Sequence, residues 1–390
     1  MRPTVKLRPK ADAKRIRFGH PWAWSDEIAF DRRTKALAPG TLVRLEESGG
    51  KPLGTAAMGG GARIAARILD RDAEAEIDAA WIKARLRTAL SHRERLYDAP
   101  FYRLIHAEAD GLPGVVVDRF GEAAVLQPNA AWAAEREEAF ATALNALGMT
   151  TVIRNGAGRA RAEEGLDGDT AVLRGEQPQP IPVPMNGATY VADLMGGQKT
   201  GLFYDQRPNH AFTARLAEGA RVLDVFSHVG GFGLAALAGG AAEAVLVDAS
   251  RAALDLAEDG ARRMGRTVET RQGDAFETLA AMASERFDLV ICDPPAFAPS
   301  KGAREAGLRA YERIARLSTP LVEAGGYLVL CSCSHAADLA AFRTASIRGI
   351  GRAGRSAQLI HTGFAGPDHP VHPALPESGY LKALFFRILA

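Results

Sequence analysis

An apolar run that ends in an acid and two prolines constrains the fold of this chain more than any other feature. Phe287 to Cys292 are mostly apolar, and Asp293, Pro294 and Pro295 follow them. The run predicts a buried parallel strand ending at Asp293, because proline has no N–H with which to extend a sheet. Open α/β sheets bind ligands at the carboxyl ends of their strands, so Asp293 is a candidate functional residue. The alternative is a plain strand followed by a sharp turn.

Composition indicates an ordinary globular protein of two or three domains, with 390 residues, 47% hydrophobic and 24% charged. Apolar runs fall short of the roughly 20 residues that a membrane helix needs, and no secretory signal is visible. The chain has three cysteines without CxxC spacing. We therefore expect no disulfide framework, no zinc site or other metal, and a reducing cytoplasm.

The net charge is only +2, but basic residues concentrate near the N-terminus. Such a cluster can contact phosphate groups, and the alternative is a solvated charged surface. Against one acid, Asp12, residues 2–20 carry seven basic side chains: Arg2, Lys6, Arg8, Lys10, Lys14, Arg15 and Arg17.

Three regions differ in their sequence patterns. Residues 1–75 contain short strand-like runs at 40–45, 52–58 and 62–69 separated by glycine-rich turns, which predicts a small β-barrel. Residues 76–184 mix helix and strand and predict an α+β domain. They contain helical patterns at 77–97 and 131–147, a hairpin at 114–127 and an extended linker at 177–184.

Residues 185–390 alternate strand and helix, which predicts an α/β fold with a doubly wound, mostly parallel sheet of seven strands. Its seven strand candidates are Arg221–Phe226, Ala244–Asp248, Val268–Gln272, Phe287–Asp293, Tyr327–Cys333, Ala357–Thr362 and Tyr380–Leu389.

Four acids at successive strand ends predict the cofactor. Asp224, Asp248, Asp274 and Asp293 each fall where a predicted strand finishes. Asp248 is placed to accept hydrogen bonds from ribose hydroxyls, and Asp224 would face a cationic group. S-adenosylmethionine carries both a nucleoside and positive charge, so it fits this set better than a dinucleotide does. The alternative for Asp248 and Asp274 is a helix N-cap.

Glycines after the first strand allow backbone and helix N–H groups to approach a ligand closely. The predicted cofactor site therefore comprises the strand ends and the residues beside them: Asp224, Phe226, Ser227, Gly230, Gly231, Asp248, Ala249, Ser250, Asp274, Ala275 and Asp293.

Cys333 is the candidate nucleophile. It lies at the carboxyl end of the fifth predicted strand, which we expect to neighbour the strand ending at Asp293. Sulfur addition to carbon 6 of cytosine makes carbon 5 nucleophilic, and an acid can stabilise the charge that develops on the base. A helix beginning after Ser334 would favour the thiolate. For Cys292 and Cys331 simple burial is the better explanation.

Several ordered motifs resemble the bacterial 23S ribosomal RNA (cytosine-5) methyltransferases that carry an N-terminal PUA domain. The resemblance covers nearly the whole chain. Its motifs are Phe18-Gly19-His20-Pro21-Trp22, Glu108-Ala109-Asp110-Gly111-Leu112-Pro113-Gly114, Gly197-Gln198-Lys199-Thr200-Gly201-Leu202-Phe203-Tyr204-Asp205-Gln206-Arg207, Asp368-His369-Pro370 and Tyr380-Leu381-Lys382.

The resemblance implies a PUA-like RNA-binding domain at 1–75, a central domain at 76–184 and a Rossmann-like methyltransferase domain at 185–390. It implies S-adenosylmethionine as cofactor, 23S ribosomal RNA as partner and 5-methylcytosine as product. Asp293 and Cys333 would be catalytic, while Pro294 and Pro295 would border the base. Tyr204, Arg207, Lys199 and Asp205 would border cofactor or RNA.

Some questions stay open at this level. Pro295 stands where related enzymes have a second cysteine, so either Asp293 or water is a candidate to remove the carbon-5 proton. A methyltransferase for another base atom and a non-catalytic RNA-binding or assembly protein are the alternatives. A nicotinamide-dependent dehydrogenase would leave the Asp-Pro-Pro motif unexplained. Sequence does not fix the oligomeric state, and a homodimer is retained as a candidate.

Overall fold

The structure is a computed structural model that describes residues 2–61, 63–166, 168–196 and 201–389. The chain folds into two compact units. The first comprises Met1–Gln179, Leu194–Gly201 and Pro367–Ser378, and the second comprises Pro180–Asp193, Leu202–Gly366 and Gly379–Ala390. Among the described residues, no helix has the length and apolar character needed to cross a bilayer.

The first unit begins with a five-stranded sheet that buries one face around Val5, Val43 and Ala66. The three strand patterns predicted before residue 75 are all present. Alternation of buried and half-exposed residues along the third strand explains why it forms. The strands lie in the sheet in the order β1-β3-β4-β5-β2. Along the chain, the elements are β1 (Thr4–Lys6), α1 (Ala13–Arg17), β2 (Trp22–Trp24), α2 (Arg32–Lys35), β3 (Leu42–Glu46), β4 (Pro52–Met58) and β5 (Ile64–Asp70).

A second five-stranded sheet in this unit, ordered β10-β9-β8-β7-β6, packs with helices around Trp132, Phe140 and Leu126. The predicted hairpin is confirmed as β7 and β8. The elements are α3 (Ala79–Leu96), β6 (Phe101–His106), β7 (Val115–Phe120), β8 (Ala123–Pro128), α4 (Ala131–Ala134), α5 (Glu137–Asn145), β9 (Thr151–Arg154), α6 (Arg159–Glu163) and β10 (Ala171–Arg174).

The prediction of one helix over residues 131–147 is wrong, because the chain forms α4 and α5 with a break between them. Arg136 has φ −118° and ψ 20°, outside the helical range. Its guanidinium Nη1 donates to the carbonyl of Trp132 at 2.9 Å, so a side chain occupies an acceptor that a continuous helix would offer to backbone.

The second unit contains a two-stranded ribbon followed by the α/β sheet. Its elements are β11 (Ile181–Met185), β12 (Ala188–Ala192), α7 (Arg207–Ala214), β13 (Arg221–Val225), α8 (Gly231–Ala238), β14 (Glu243–Asp248), α9 (Arg251–Arg263), β15 (Glu269–Gln272), α10 (Ala275–Ala281), β16 (Phe287–Cys292), α11 (Arg304–Ser318), β17 (Val322–Ser332), α12 (Leu339–Arg352), β18 (Ala357–Gly363) and β19 (Lys382–Ile388).

The extended linker predicted at 177–184 is corrected by this ribbon, since β11 pairs antiparallel with β12 over five residue pairs. Pro182 and Pro184 are exposed, while Val183 and Met185 point inward and are buried. A two-stranded ribbon tolerates prolines because both strands have an edge that needs no ladder hydrogen bonds. The proline spacing that suggested a linker is therefore the outer face of a strand.

The seven-stranded sheet confirms the predicted fold class. Its order is β15-β14-β13-β16-β17-β19-β18, and every neighbouring pair from β15 to β17 is parallel. The last strand, β19, runs antiparallel to both of its neighbours. Parallel pairing places the carboxyl ends of β13, β14, β15, β16 and β17 at one edge, which is where the predicted site residues occur.

A buried charge network lies in the first unit. Arg93 on α3 is fully buried and makes a two-pronged contact with Asp110, with Nη1–Oδ1 2.9 Å and Nη2–Oδ2 2.7 Å. Its Nη2 also donates to the carbonyl of Asp368 at 3.1 Å, and Asp368 Oδ2 accepts from the backbone N–H of Arg103 at 3.0 Å. The motif around Asp368 thus joins a late segment of chain to the first unit.

We predict that Arg93→Met destabilises the first unit by about 3–5 kcal/mol, because it leaves the Asp110 carboxylate buried without its partner. All four tryptophans belong to this unit, so denaturant unfolding followed by tryptophan fluorescence measures the effect. Arg174→Met is the control, because Arg174 lies in the same unit and its side chain is 42% exposed in its pair with Glu138. Equal midpoints for the two variants would contradict the importance of the network.

Candidate active site

The loop between β13 and α8 has an unusual backbone. Phe226 and His228 have φ of 64° and 51°, in the left-handed region that non-glycine residues rarely adopt. Gly230 follows with φ 81° and precedes the first turn of α8. A Cβ on Gly231 would lie 2.9 Å from the ring of His210. The glycine pattern therefore reflects a strained loop folded tightly over its support, a kind of backbone that concentrates at functional sites.

Asp224 is the buried centre of the site. Its side chain is 0% exposed, and Oδ2 accepts from the backbone N–H of Gly233 at 2.8 Å. Its other oxygen, Oδ1, is buried without a hydrogen-bond partner among the described residues. Burial raises the pKa of Asp224 to about 8, and the negative charges of Asp293 and Asp248 add to the effect. Three of the four predicted acids therefore act on one another electrostatically.

Asp248, at the end of β14, holds two loops together. Oδ2 accepts from the N–H of His228 and Oδ1 from the N–H of Ser250, each at 2.8 Å. The N-cap of α9 is Ser250, whose hydroxyl accepts from the N–H of Ala253. The alternative of Asp248 as a helix N-cap is therefore wrong. Ala249 lies between these two residues and is exposed.

Asp274 follows β15 and is the N-cap of α10. Its Oδ1 accepts from the N–H groups of Phe276 and Glu277 at 2.9 and 3.1 Å, and Ala275 is buried behind it. The alternative that Asp274 is a helix N-cap is therefore confirmed, and its Oδ1 is the oxygen that caps the helix. A role in cofactor binding for Asp274 stays a prediction.

Asp293 directly follows β16, as the Asp-Pro-Pro sequence predicted, and Pro294 and Pro295 come next in irregular backbone. Its Oδ2 accepts from Nε2 of Gln206 at 2.9 Å. Gln206 is buried, and its Oε1 accepts from Nδ2 of Asn209 at 2.6 Å. The Asn209 bond fixes which end of the Gln206 amide faces Asp293, so the carboxylate receives an N–H.

The tyrosine-to-arginine motif is a single turn of 3₁₀ helix, Tyr204–Gln206, followed by α7. Tyr204 is buried, and the Arg207 guanidinium lies 5.5 Å from the centre of its ring. Asp205 accepts from the hydroxyl of Tyr380 at 2.6 Å. Lys199, with Gly197, Gln198 and Thr200, lies outside the described residues.

The three cysteines are thiols of different character. Cys292 and Cys331 are buried, and burial raises the pKa of Cys292 to about 12 and that of Cys331 well above its ordinary value. Neither is suited to act as a nucleophile. Cys333 lies one residue beyond β17 and is partly exposed. Strands β16 and β17 pair in parallel with Cys292 opposite Leu330, so Asp293 and Cys333 follow adjacent strands at the same edge.

The prediction of a helix starting after Ser334 is wrong, because α12 begins at Leu339 and is capped by Asp338. The backbone after Cys333 forms a turn that side chains hold in place. Ser334 Oγ accepts from the N–H of Ala298 at 2.9 Å and lies 2.7 Å from the hydroxyl of Tyr311. Polar side chains replace the expected helix in organising this segment.

Sequence reasoning gave no role to three residues of the site, Gln206, Asn209 and Lys382. Gln206 orients Asp293, Asn209 orients Gln206, and Lys382 donates to carbonyls in the turn after Cys333. Gln206 and Asp293 are 87 positions apart, a separation at which no local pattern signals a contact. For Gln206 and Lys382, the one available signal was that each lies within a motif of the resembled family.

The site fits a nucleoside with a positive charge. Asp224 Oδ1 and the Ser227 hydroxyl are buried polar atoms without partners among the described residues, and the negative charges of Asp248 and Asp293 act on Asp224. Buried polar atoms normally have partners, so these two mark where a ligand would bind. A cation there would favour the ionised form of Asp224.

Comparison with known proteins defines the class. Residues 135–387 match the S-adenosylmethionine-dependent methyltransferase family, and residues 5–71 match the PUA-like domain family. A candidate S-adenosylmethionine-dependent methyltransferase from Streptococcus mutans has the same fold, with TM-score 0.82 and 18% identity over 99% of this chain and 100% of that chain. A candidate methyltransferase crystallised with SAH aligns equally well, with TM-score 0.82, 19% identity and the same coverage. The chain is thus a class I methyltransferase that uses S-adenosylmethionine.

Its full-length relatives place it more narrowly. It is 35% identical to ribosomal RNA large subunit methyltransferase I of Aeromonas salmonicida over 98% of both chains. It is 34% identical to the Erwinia tasmaniensis protein of that name, over 99% of this chain and 100% of the relative. This chain belongs to the ribosomal RNA large subunit methyltransferase I family.

We predict that S-adenosylmethionine binding releases a proton from Asp224 at pH 7. With a pKa of about 8 the carboxyl is mostly protonated before binding, and a cationic ligand favours its carboxylate. Calorimetry in buffers of different ionisation enthalpy measures the release. Asp224→Asn should release less, while the ligand's own amine contributes equally to both proteins. Identical release by the two proteins would show that Asp224 does not titrate on binding.

Proposed function

We propose that this protein methylates carbon 5 of a cytosine in 23S ribosomal RNA through a covalent bond between Cys333 and carbon 6. One observation carries the proposal. Of the three cysteines, Cys333 alone is partly exposed, and it follows the strand adjacent to the one that ends at Asp293. Methyl transfer to a ring nitrogen or to ribose needs no thiol, whereas transfer to cytosine carbon 5 does.

The residues would divide the chemistry as follows. Bound S-adenosylmethionine supplies an electrophilic methyl group. The Cys333 thiolate would add to carbon 6, so that carbon 5 gains the electron pair with which it bonds to the methyl group, while the bond between that methyl group and the donor's sulfur breaks and S-adenosylhomocysteine is left. Loss of the carbon-5 proton then returns an electron pair to the ring and expels the thiolate. Asp293 or a water molecule accepts that proton.

Asp293 is supported as the group that holds the base. Its Oδ2 is bound by Gln206, which fixes the carboxylate in one orientation. A fixed carboxyl group can bind the N3 and amino edge of cytosine and stabilise charge as it develops. Pro294 and Pro295 restrict the backbone after Asp293, so a base bound by Asp293 would lie against a rigid segment of chain.

The substrate assignment is supported by the relatives, whose names state that they modify large-subunit ribosomal RNA. In the proposed division, residues 1–75 bind RNA, 76–184 form a central domain and 185–390 carry out methyl transfer. Ribosomal RNA as substrate and three cysteines as thiols both suit the cytoplasm. A homodimer is retained as a candidate assembly.

The N-terminal basic cluster is less available to RNA than its sequence suggested. Lys6, Arg15 and Arg17 pair with Glu46, Glu27 and Glu47 respectively. Exposed charge remains at Lys10 and Lys14.

Phe18 is the residue of this region best suited to contact a base. It is 84% exposed, and a Cβ on its neighbour Gly19 would lie 3.3 Å from Nη2 of the exposed Arg71. Lys14 lies one helical turn before it and is exposed. An exposed aromatic ring beside cationic groups can stack on an unpaired base while the cations bind phosphate.

We predict that Cys333→Ala retains S-adenosylmethionine binding and loses methyl transfer to ribosomal RNA from a strain lacking the enzyme. Calorimetry measures the first property, and mass spectrometry of digested RNA measures the second and identifies the methylated base. Cys331→Ala is the matched control, since Cys331 is a buried thiol two residues earlier in the chain.

Three outcomes are informative. Loss in Cys333→Ala with activity in Cys331→Ala supports the proposal. Wild-type rates in Cys333→Ala would assign methylation to another base atom and remove the covalent step. Tight RNA binding without turnover in the unaltered protein would favour a non-catalytic role.

A second prediction concerns Phe18. Phe18→Ala should weaken binding of stripped ribosomal RNA by about 1–3 kcal/mol, the contribution of one stacked base. Phe364→Ala is the control, because Phe364 is 53% exposed and lies outside residues 1–75. Filter binding at fixed salt measures both variants. A similar loss in the two, or none in either, would refute base stacking by Phe18.

A further inference from the structure

Lys382 is a buried cation that the proposed reaction does not use. It is the first residue of β19 and is 5% exposed. In the ladder between β17 and β19 it pairs with Ser332, the residue before Cys333. Its Nζ donates to the carbonyls of Ser334 and Ala337 at 2.7 and 2.8 Å. Lys382 therefore holds the turn that begins with Cys333.

Hydrogen bonds to carbonyls do not neutralise the charge of this ammonium. No carboxylate among the described residues forms an ion pair with it, and a buried charge is costly unless it is compensated. Burial lowers the pKa of Lys382, while the thiolate of Cys333 and the carboxylate of Asp338 act to raise it. Among the described residues, these are the two negative groups whose charge acts on the ammonium.

Other groups around the turn do not supply the missing charge. Asp338 accepts from Arg304 Nη2 at 3.2 Å and caps α12 through the N–H of Ala341, so its charge is already compensated. Burial raises the pKa of Tyr311 on α11, which keeps its hydroxyl neutral. The ring of His335 lies 5.6 Å from that of Tyr380 and adds no negative charge.

We infer that Lys382 is a positioning residue that holds the sulfur of Cys333 as a thiolate. The inference rests on the proposed function, in which Cys333 is the nucleophile. Attraction between the two groups is reciprocal, so the ammonium favours the thiolate as much as the thiolate favours the ammonium. The thiol proton passes to solvent, and Lys382 keeps its own proton. The lysine thereby provides the positive field that the sequence led us to expect from a helix.

The test is the pH dependence of alkylation of Cys333 by iodoacetamide, which reacts with thiolate. The rate in Cys333→Ser is subtracted to remove the contributions of Cys292 and Cys331. In Lys382→Gln the midpoint of the curve should move to higher pH by about one pH unit, since the loss of a nearby opposite charge disfavours the thiolate. At pH 7 the rate should fall about tenfold.

Two control variants separate charge from support of the turn. Tyr311→Phe removes the hydroxyl that bonds Ser332 and Ser334 without changing a charge, so its midpoint should equal that of the wild type. Lys382→Arg retains the charge, so its midpoint should lie close to that of the wild type. Thermal unfolding of each variant checks that it is folded.

A shift in Lys382→Gln that is absent in Tyr311→Phe supports the inference. No shift, or equal shifts in both, would overturn it. If no variant at position 382 folds, the wild-type curve still decides, because a midpoint at or above about 8.5, the value of an unperturbed thiol, contradicts a stabilised thiolate. Alkylation requires neither RNA nor methyl transfer, so its outcome is independent of whether Cys333→Ala loses activity.

Discussion

Parallel pairing of β13, β14, β15, β16 and β17 is the constraint on which the site depends. Because these strands run in one direction, every residue that follows one of them emerges at the same edge of the sheet. Asp224, Asp248 and Asp293 follow three different strands, yet the charges of Asp248 and Asp293 both act on the carboxyl group of Asp224. An antiparallel arrangement would send alternate acids to opposite edges and leave no site.

Bringing acids together at that edge costs stability. Asp224 is fully buried with one oxygen unsatisfied among the described residues, and its neighbours are negative. Phe226 and His228 add a backbone conformation that side chains disfavour. Such features persist where the surrounding structure enforces them, and they are typical of sites that bind a ligand. A cationic nucleoside relieves both the unsatisfied oxygen and the repulsion.

Sequence predicted the features that depend on local patterns. The alternation of strand and helix patterns located all seven strands of the main sheet, and the Asp-Pro-Pro sequence located the end of β16. It did not predict contacts between distant residues, such as Gln206 with Asp293 or Lys382 with the turn after Cys333. It also mistook β11 for a linker and merged α4 with α5. The prolines of β11 suggested a linker although they lie on the exposed face of a paired strand, and the bond from the Arg136 guanidinium at the break between α4 and α5 has no local sequence signal.

The buried position of Asp368 affects how this chain folds as it is made. Its carboxylate and carbonyl complete a network with Arg93 and Arg103, although about 265 residues separate it from Arg103 along the chain. During synthesis the first unit emerges early, but the segment that finishes its core leaves the ribosome only after most of the second unit. Until that segment is made, one N–H of the Arg93 guanidinium and the backbone N–H of Arg103 lack their partner on Asp368, and water must bond to them instead.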